Sequence, residues 1–266
     1  SDVCSSDLPV IELDDGTVWA PDNASDDRKG EQVTLKWALA NSNNWVSGQL
    51  IKKYAPAAVV ELAQKMGVTS EMPAVYSIAL GSCDLSLYEM VGAMSVYANK
   101  GVYIEPSFIT RIEDKHGNVL ETFTQKSREA ISEETAYLMI QLMKGVVDHG
   151  TSVRLRFKYG LDNPIAGKTG TTQNQSDGWF MGIVPDLVTG VWVGNEDRAA
   201  HFRTITLGQG ANMALPIWGI FMQKVYADPS LGYSRRDFDP PGEPLTVDID
   251  CETNDGEQSP GHRNSR

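Results

Sequence analysis

The sequence predicts an α+β domain in which helices pack on an antiparallel sheet. Two observations carry that expectation. Apolar residues recur at three- and four-residue spacing through much of the first half of the chain, whereas the second half holds three short alternating runs. Those runs are joined by "QNQSD" and "PD", as in a meander.

The elements follow in order. The stretch "TLKWALANSNNWVSGQLIKKYAPAAVVELAQKMG" predicts a helix, a polar break at "NSNN", a second helix ending near Pro56 and a third closed by Gly67. Another helix is expected from Asp84 to Lys100, with Asp84 or Ser86 as its cap and Gly101 just past its end. "YIEPSFITRIEDKHGNVLETF" predicts two strands around a His116-Gly117-Asn118 turn. Ser132 caps a further helix that carries Glu133 and Glu134 in its first turn and stops at Gly150. The alternating runs are Ile165 to Thr172, Trp179 to Val184 and Val188 to Gly194. Pro216 then opens an amphipathic helix to about Tyr226. After Asp228 the chain turns rich in Pro, Gly and acid, so residues 229–266 are expected to form a poorly ordered tail.

Bulk properties exclude several classes. A formal net charge of -12 over 266 residues, with no basic stripe, argues against nucleic acid as a partner. No apolar run approaches the length of about 18 residues that spans a bilayer, so any membrane anchor is expected outside this chain. Cys4, Cys83 and Cys251 form no C-x-x-C pair and no disulfide framework. His116, His149, His201 and His262 lack metal-ligand spacing and read as turn, helix end, loop and tail. The carboxylates Asp14, Asp15, Asp22, Asp26 and Asp27 miss the calcium-loop pattern, because position 24 is Ala and no glycine follows at the turn. Neither a cofactor nor a metal is expected.

Chemistry concentrates in "PIAGKTGTTQNQSDGWFMG". Gly167-Lys168-Thr169 resembles the end of a phosphate loop, but the loop's first glycine would fall on Asp162 and Pro164 interrupts its backbone donors. The other reading is K-T-G on an edge strand. Lys168 would supply positive charge to a substrate carboxylate and Thr169 a hydroxyl to the same group. Gly170 leaves the edge clear for a substrate lying along it as a strand. Far upstream, Ser42 and Asn44 stand in S-x-N register within "NSNN". There a Ser hydroxyl can relay a proton and an Asn amide can hold a carbonyl; alternatively Ser42 simply caps the next helix. K-T-G in the same chain favours the first.

S-x-N followed by K-T-G, together with "PDN", "GEQVTLKWALANSNN", "IALGSCDLSLYEMVGAMSVYANKG" and "AGKTGTTQNQSDGWFMGIVPDLVTGVWVGNED", resembles the transpeptidase domain of class A penicillin-binding proteins. Gly150-Thr151-Ser152 departs from that pattern, which has a second glycine. The resemblance implies the penicillin-binding-protein/β-lactamase-like serine transpeptidase fold, here incomplete at the N-terminus. It implies a penicillin-sensitive D,D-transpeptidase that crosslinks peptidoglycan stem peptides through a serine acyl-enzyme, on the periplasmic face of the inner membrane. Ser42, Asn44 and Lys168 would be catalytic. Thr169, Gly170 and Thr171 would bind substrate, and the Thr171 N–H would join the oxyanion hole. Stem peptides and β-lactam inhibitors would be its partners. A D,D-carboxypeptidase built on the same residues, and an inert remnant, remain alternatives.

The family also places S-x-x-K upstream of S-x-N, with its Ser acylated. Only 41 residues precede Ser42 and none contains the motif, so the chain itself is expected to be inactive as a transpeptidase. Asp2 to Leu8 in "SDVCSSDL" is what GAC GTG TGC TCT TCC GAT CT encodes, a widely used sequencing-library adapter. The expected division is therefore an adapter-encoded leader at 1–8, a partial transpeptidase domain at 9–228 and the tail at 229–266.

Overall fold

A computed structural model describes residues 3–247. Four short strands, β1 (Val3–Ser5), β2 (Ile11–Glu12), β3 (Val18–Trp19) and β4 (Gln32–Thr34), lead into α1 (Leu35–Ala40), α2 (Asn44–Tyr54) and α3 (Pro56–Lys65). Next come α4 (Leu87–Ala98), β5 (Val102–Ile104), β6 (Arg111–Glu113), β7 (Val119–Thr122), β8 (Ser127–Glu129), α5 (Glu133–Asp148) and α6 (Arg154–Phe157). The chain continues through β9 (Ala166–Thr171), β10 (Asp177–Val184), β11 (Leu187–Gly194), α7 (Ile205–Gly208) and α8 (Gly210–Ala227).

Local chemistry sets the helix starts. Thr34 accepts from Trp37 N to cap α1, Pro56 occupies the first turn of α3, and Ser132 accepts from Thr135 N to cap α5. Of the two caps expected for α4, Ser86 is the one used. It forms a reciprocal capping box with Glu89, whose carboxylate also takes the backbone N–H groups of Thr69 and Ser70. These bonds hold the Glu89 carboxyl far below the usual carboxylate range, against burial acting the other way.

The central sheet has the order β11-β10-β9, all antiparallel, with Met181 opposite Lys168 and Trp179 opposite Gly170. Alternation along β10 sorts its side chains between two layers. Phe180 and Val184 face α8, where Ala214, Leu215, Trp218 and Met222 complete a core with Leu155 and Ile165. Ile183 faces the other way and packs with Ile140 and Met143 of α5. The sheet and α8 come so close at Gly182 that a Cβ there would stand 2.3 Å from Trp218 Cε2. A separate core joins α2 to α4 and β5 through Ile51, Val96 and Tyr103.

One expectation about the helices is corrected. The last helix begins at Gly210, not at Pro216, which sits inside it and withholds one N–H from the ladder. An interior proline costs about 3 kcal/mol. Burial of Met213, Ala214 and Leu215 against the sheet offsets that, at roughly 1.5–3 kcal/mol per fully buried large side chain. The stretch from Tyr103 to Phe123 forms the expected hairpin about Gly117 through β6 and β7, while β5 pairs with β8. Asp114 pins the hairpin turn by accepting from His116 N and Asn118 N.

Within the opening string, β1 pairs antiparallel with β4 and Ser6 is buried. At the other end, residues 229–247 run back over the domain. Ser234 donates to Asp186, Lys144 pairs with Asp237 at 2.9 Å, and Phe238 is buried against Ile140. The remainder of the expected tail, residues 248–266, with Cys251 and His262, lies outside the described residues.

Candidate active site

K-T-G lies on β9, whose outer edge pairs with no strand among the described residues. Gly167-Lys168-Thr169 is thus extended backbone rather than a loop opening a helix, and the phosphate-loop geometry is absent. Gly167 is required by space: a Cβ would meet Met181 O at 2.9 Å and the Phe180 ring at the same distance.

Lys168 Nζ donates to Ser42 Oγ at 2.9 Å and to Thr169 O at 2.8 Å. The two motifs, 126 residues apart in sequence, are therefore in direct contact. Burial lowers the Lys168 ammonium from its ordinary value to about 8. At neutral pH most copies still carry the charge.

Ser42 reaches this lysine because the backbone turns sharply between α1 and α2. Its N–H donates to Leu39 O, and its φ of 53° lies in the left-handed region. For a residue with a Cβ that conformation costs on the order of 1–3 kcal/mol. Asn43, not Ser42, caps α2: its side-chain oxygen accepts from Val46 N at 2.9 Å. The capping alternative for Ser42 is thereby excluded, and its hydroxyl is left for Lys168.

Asn44 takes a different set of partners. Its Nδ2 donates to Asp22 O at 2.7 Å and its backbone N–H to Asn23 Oδ1 at 3.0 Å. Trp45 Nε1 donates to Pro21 O. "PDN" therefore clamps the first turn of α2, and the Asn44 amide points its donor at Asp22 rather than at Ser42 or Lys168.

Thr169 and Thr171 are each tied to a neighbouring element. Thr169 Oγ1 lies 2.9 Å from Thr151 Oγ1, and Thr171 Oγ1 accepts from Gly210 N at the start of α8. Gly170 leaves little room on its inner side, where a Cβ would stand 3.1 Å from Trp179 Cβ.

Thr151, noted in the sequence only within a departure from the family pattern, is the residue whose place beside the site sequence reasoning missed. Its N–H donates to Ala40 O, two residues before Ser42, while its hydroxyl meets Thr169, one residue after Lys168. Gly150 permits that approach, since a Cβ there would stand 2.1 Å from Ala40 O. The available signal was the Gly-Thr pair just past a helix end. His149 only ends α5, its N–H donating to Gly145 O. No group of three or more His, Cys, Asp or Glu suited to a metal occurs among the described residues.

Residues 11–200 match the family described as the penicillin binding protein transpeptidase domain. Penicillin-binding protein 1A of Aquifex aeolicus is 34% identical over 249 residues, which are 94% of this chain and 33% of that protein. The chain thus spans about a third of that relative's length. Among solved structures, penicillin-binding protein 1A from Haemophilus influenzae superposes with a TM-score of 0.77 at 25% identity, covering 86% of this chain and 39% of that one. The penicillin G acyl-enzyme complex of penicillin-binding protein A from M. tuberculosis gives 0.61 at 19% identity, over 84% of this chain and 55% of that one, and speaks to the fold alone.

Proposed function

This chain belongs to the penicillin-binding protein transpeptidase family, with penicillin-binding proteins 1A as relatives, and on that premise we propose that its parent protein is a serine D,D-transpeptidase crosslinking peptidoglycan stem peptides. The observation that carries the reading is the 2.9 Å contact between Lys168 Nζ and Ser42 Oγ, which joins K-T-G to S-x-N. In the proposed reaction a serine of an S-x-x-K motif attacks the penultimate D-alanine carbonyl of a donor stem peptide. The leaving D-alanine takes its proton through Ser42, and an amine of a second stem resolves the acyl-enzyme. These 266 residues hold no S-x-x-K, so the acylated serine of this proposal belongs to sequence beyond them.

Roles for the remaining residues follow from charge and position. The donor lies along the unpaired edge of β9 as an added strand. Its terminal carboxylate meets the Lys168 ammonium and the Thr169 hydroxyl, and the Thr171 N–H faces the developing oxyanion. Asn44 serves the acyl carbonyl only if its amide leaves Asp22 when substrate binds. The M. tuberculosis protein forms an acyl-enzyme complex with penicillin G, and in the parent of this chain penicillins would occupy the donor position.

Recovering the genomic sequence upstream of Pro9 and expressing the complete protein tests the reading. An S-x-x-K serine labelled by penicillin, and crosslinked product from lipid-linked stem peptides, are the expected results. A complete upstream sequence with no S-x-x-K would falsify it.

A further inference from the structure

The geometry points to a second nucleophile in this fold: Ser42 Oγ, with Lys168 as its base, forms a serine–lysine dyad that reacts with small phosphonyl and acyl electrophiles. The inference rests on this chain's own contacts and not on the peptidoglycan reading above. Three features support it. Nucleophile and base are in hydrogen-bond contact at 2.9 Å, and the base is itself oriented by a third group, Thr169 O at 2.8 Å. The helix-capping task falls to Asn43, so the Ser42 hydroxyl has no structural duty in α2. Ser42 also sits at φ 53° on a tight turn between two helices and is only half-buried, which presents Oγ at the end of a constrained backbone.

The base must be neutral to act. Charged groups on the elements around it are engaged elsewhere: on α5, Glu133 with Lys100, Glu134 with Thr246, Lys144 with Asp237 and Asp148 with Arg156; on β10, Asp177 with Trp192. Lys36 of α1, Lys52, Lys53 and Tyr54 of α2, Tyr137 of α5, and Lys224 and Tyr226 of α8 are the other titratable groups on the neighbouring helices. Burial alone accounts for the lowered lysine, which reaches about 8. With a phosphonyl fluoride, the Ser42 Oγ–H proton passes to neutral Lys168 Nζ as Oγ bonds to phosphorus. The P–F bond breaks, fluoride leaves with its electron pair, and the ammonium returns its proton to water. The product is a stable phosphonyl ester on Ser42.

The test treats the full chain with an alkyl fluorophosphonate and maps the adduct by peptide mass spectrometry, with circular dichroism confirming the folded state of each variant. Ser42 is expected to carry the label. The labelling rate should rise roughly tenfold from pH 7 to pH 9 and then level, following neutral Lys168. Lys168→Arg keeps a cation but supplies no base and should slow labelling at least about a hundredfold. A second measurement covers loss of fold: Ser42→Cys should react with iodoacetamide at pH 7 about fivefold faster than Ser42→Cys/Lys168→Met, since an adjacent ammonium favours the thiolate. An unlabelled Ser42, a rate indifferent to Lys168→Arg, or equal alkylation of the two cysteine variants overturns the dyad. If Ser42 stays unlabelled while the complete protein still takes penicillin on an S-x-x-K serine, the dyad falls and the transpeptidase reading stands.

Discussion

Under the proposed function two demands meet at Lys168: a charge to hold a carboxylate and a half-buried, largely desolvated position that disfavours charge. An ammonium about 4 Å from a carboxylate interacts by up to about 4 kcal/mol at an effective dielectric near 20, before desolvation is deducted. A hydroxyl bonded to a charged group contributes about 1.5–3 kcal/mol. In the complete protein, Lys168→Gln should therefore slow penicillin acylation by up to about a thousandfold and Thr169→Val by roughly ten- to a hundredfold. His149→Gln, at a helix end, should change it little. Second-order acylation rates order the three, and a dominant effect of His149→Gln would transfer the chemistry to a histidine. Burial also links Lys168 to stability. Its folded pKa, about 8, lies below the unfolded value, so the unfolded chain binds more protons between about pH 8 and 10 and stability rises with pH there. The gain is on the order of 2–3 kcal/mol, absent below pH 8, and Lys168→Met should flatten it in urea titrations run across that window. The Cys83 thiol, pushed up by burial, opposes the trend from about pH 9, and Tyr97, Tyr103 and Tyr226, also shifted upward by burial, oppose it from about pH 10.

At the scale of elements, the α1–α2 turn separates two jobs that neighbouring residues could have shared. Asn43→Ala removes the cap of α2 and should lower stability by about 1 kcal/mol, while Ser42→Ala should leave the helix intact. Equal losses in chemical denaturation would return the capping role to Ser42. The turn after α5 matters more. Gly150→Ala places a methyl 2.1 Å from Ala40 O, and neither backbone can yield without moving Ser42 or β9. A loss of about 2 kcal/mol or more is expected, with Lys168 titrating closer to its solution value as the contact with Ser42 loosens. Labelled-lysine NMR reads that second effect directly.

Across the whole molecule, what the sequence disclosed was whatever is local. Helical spacing, Ser86 and Ser132 as caps, the hairpin about Gly117 and the meander of β9, β10 and β11 were all legible. So were the two motif halves, because K-T-G and S-x-N are contiguous strings. What stayed hidden depends on residues far apart in sequence: the clamp of Asp22 and Asn23 on Asn44, the Thr151–Thr169 contact, and the β5–β8 pairing. Pro216 misled for a related reason. Its propensity is a local signal, whereas the burial that carries α8 through it is set by the sheet beneath. The segment after α8 has a similarly long reach. Phe238 closes over Ile140 and Met143, and Lys144 with Asp237 fastens it there. A chain ended at Asp228 would leave that seam as an open apolar window. Losing the burial of Phe238 should cost roughly 2–3 kcal/mol. The shortened chain should also bind a hydrophobic dye that the longer one ignores and clump at concentrations the longer one tolerates. What looks like a trailing end would then set how well the domain keeps in solution.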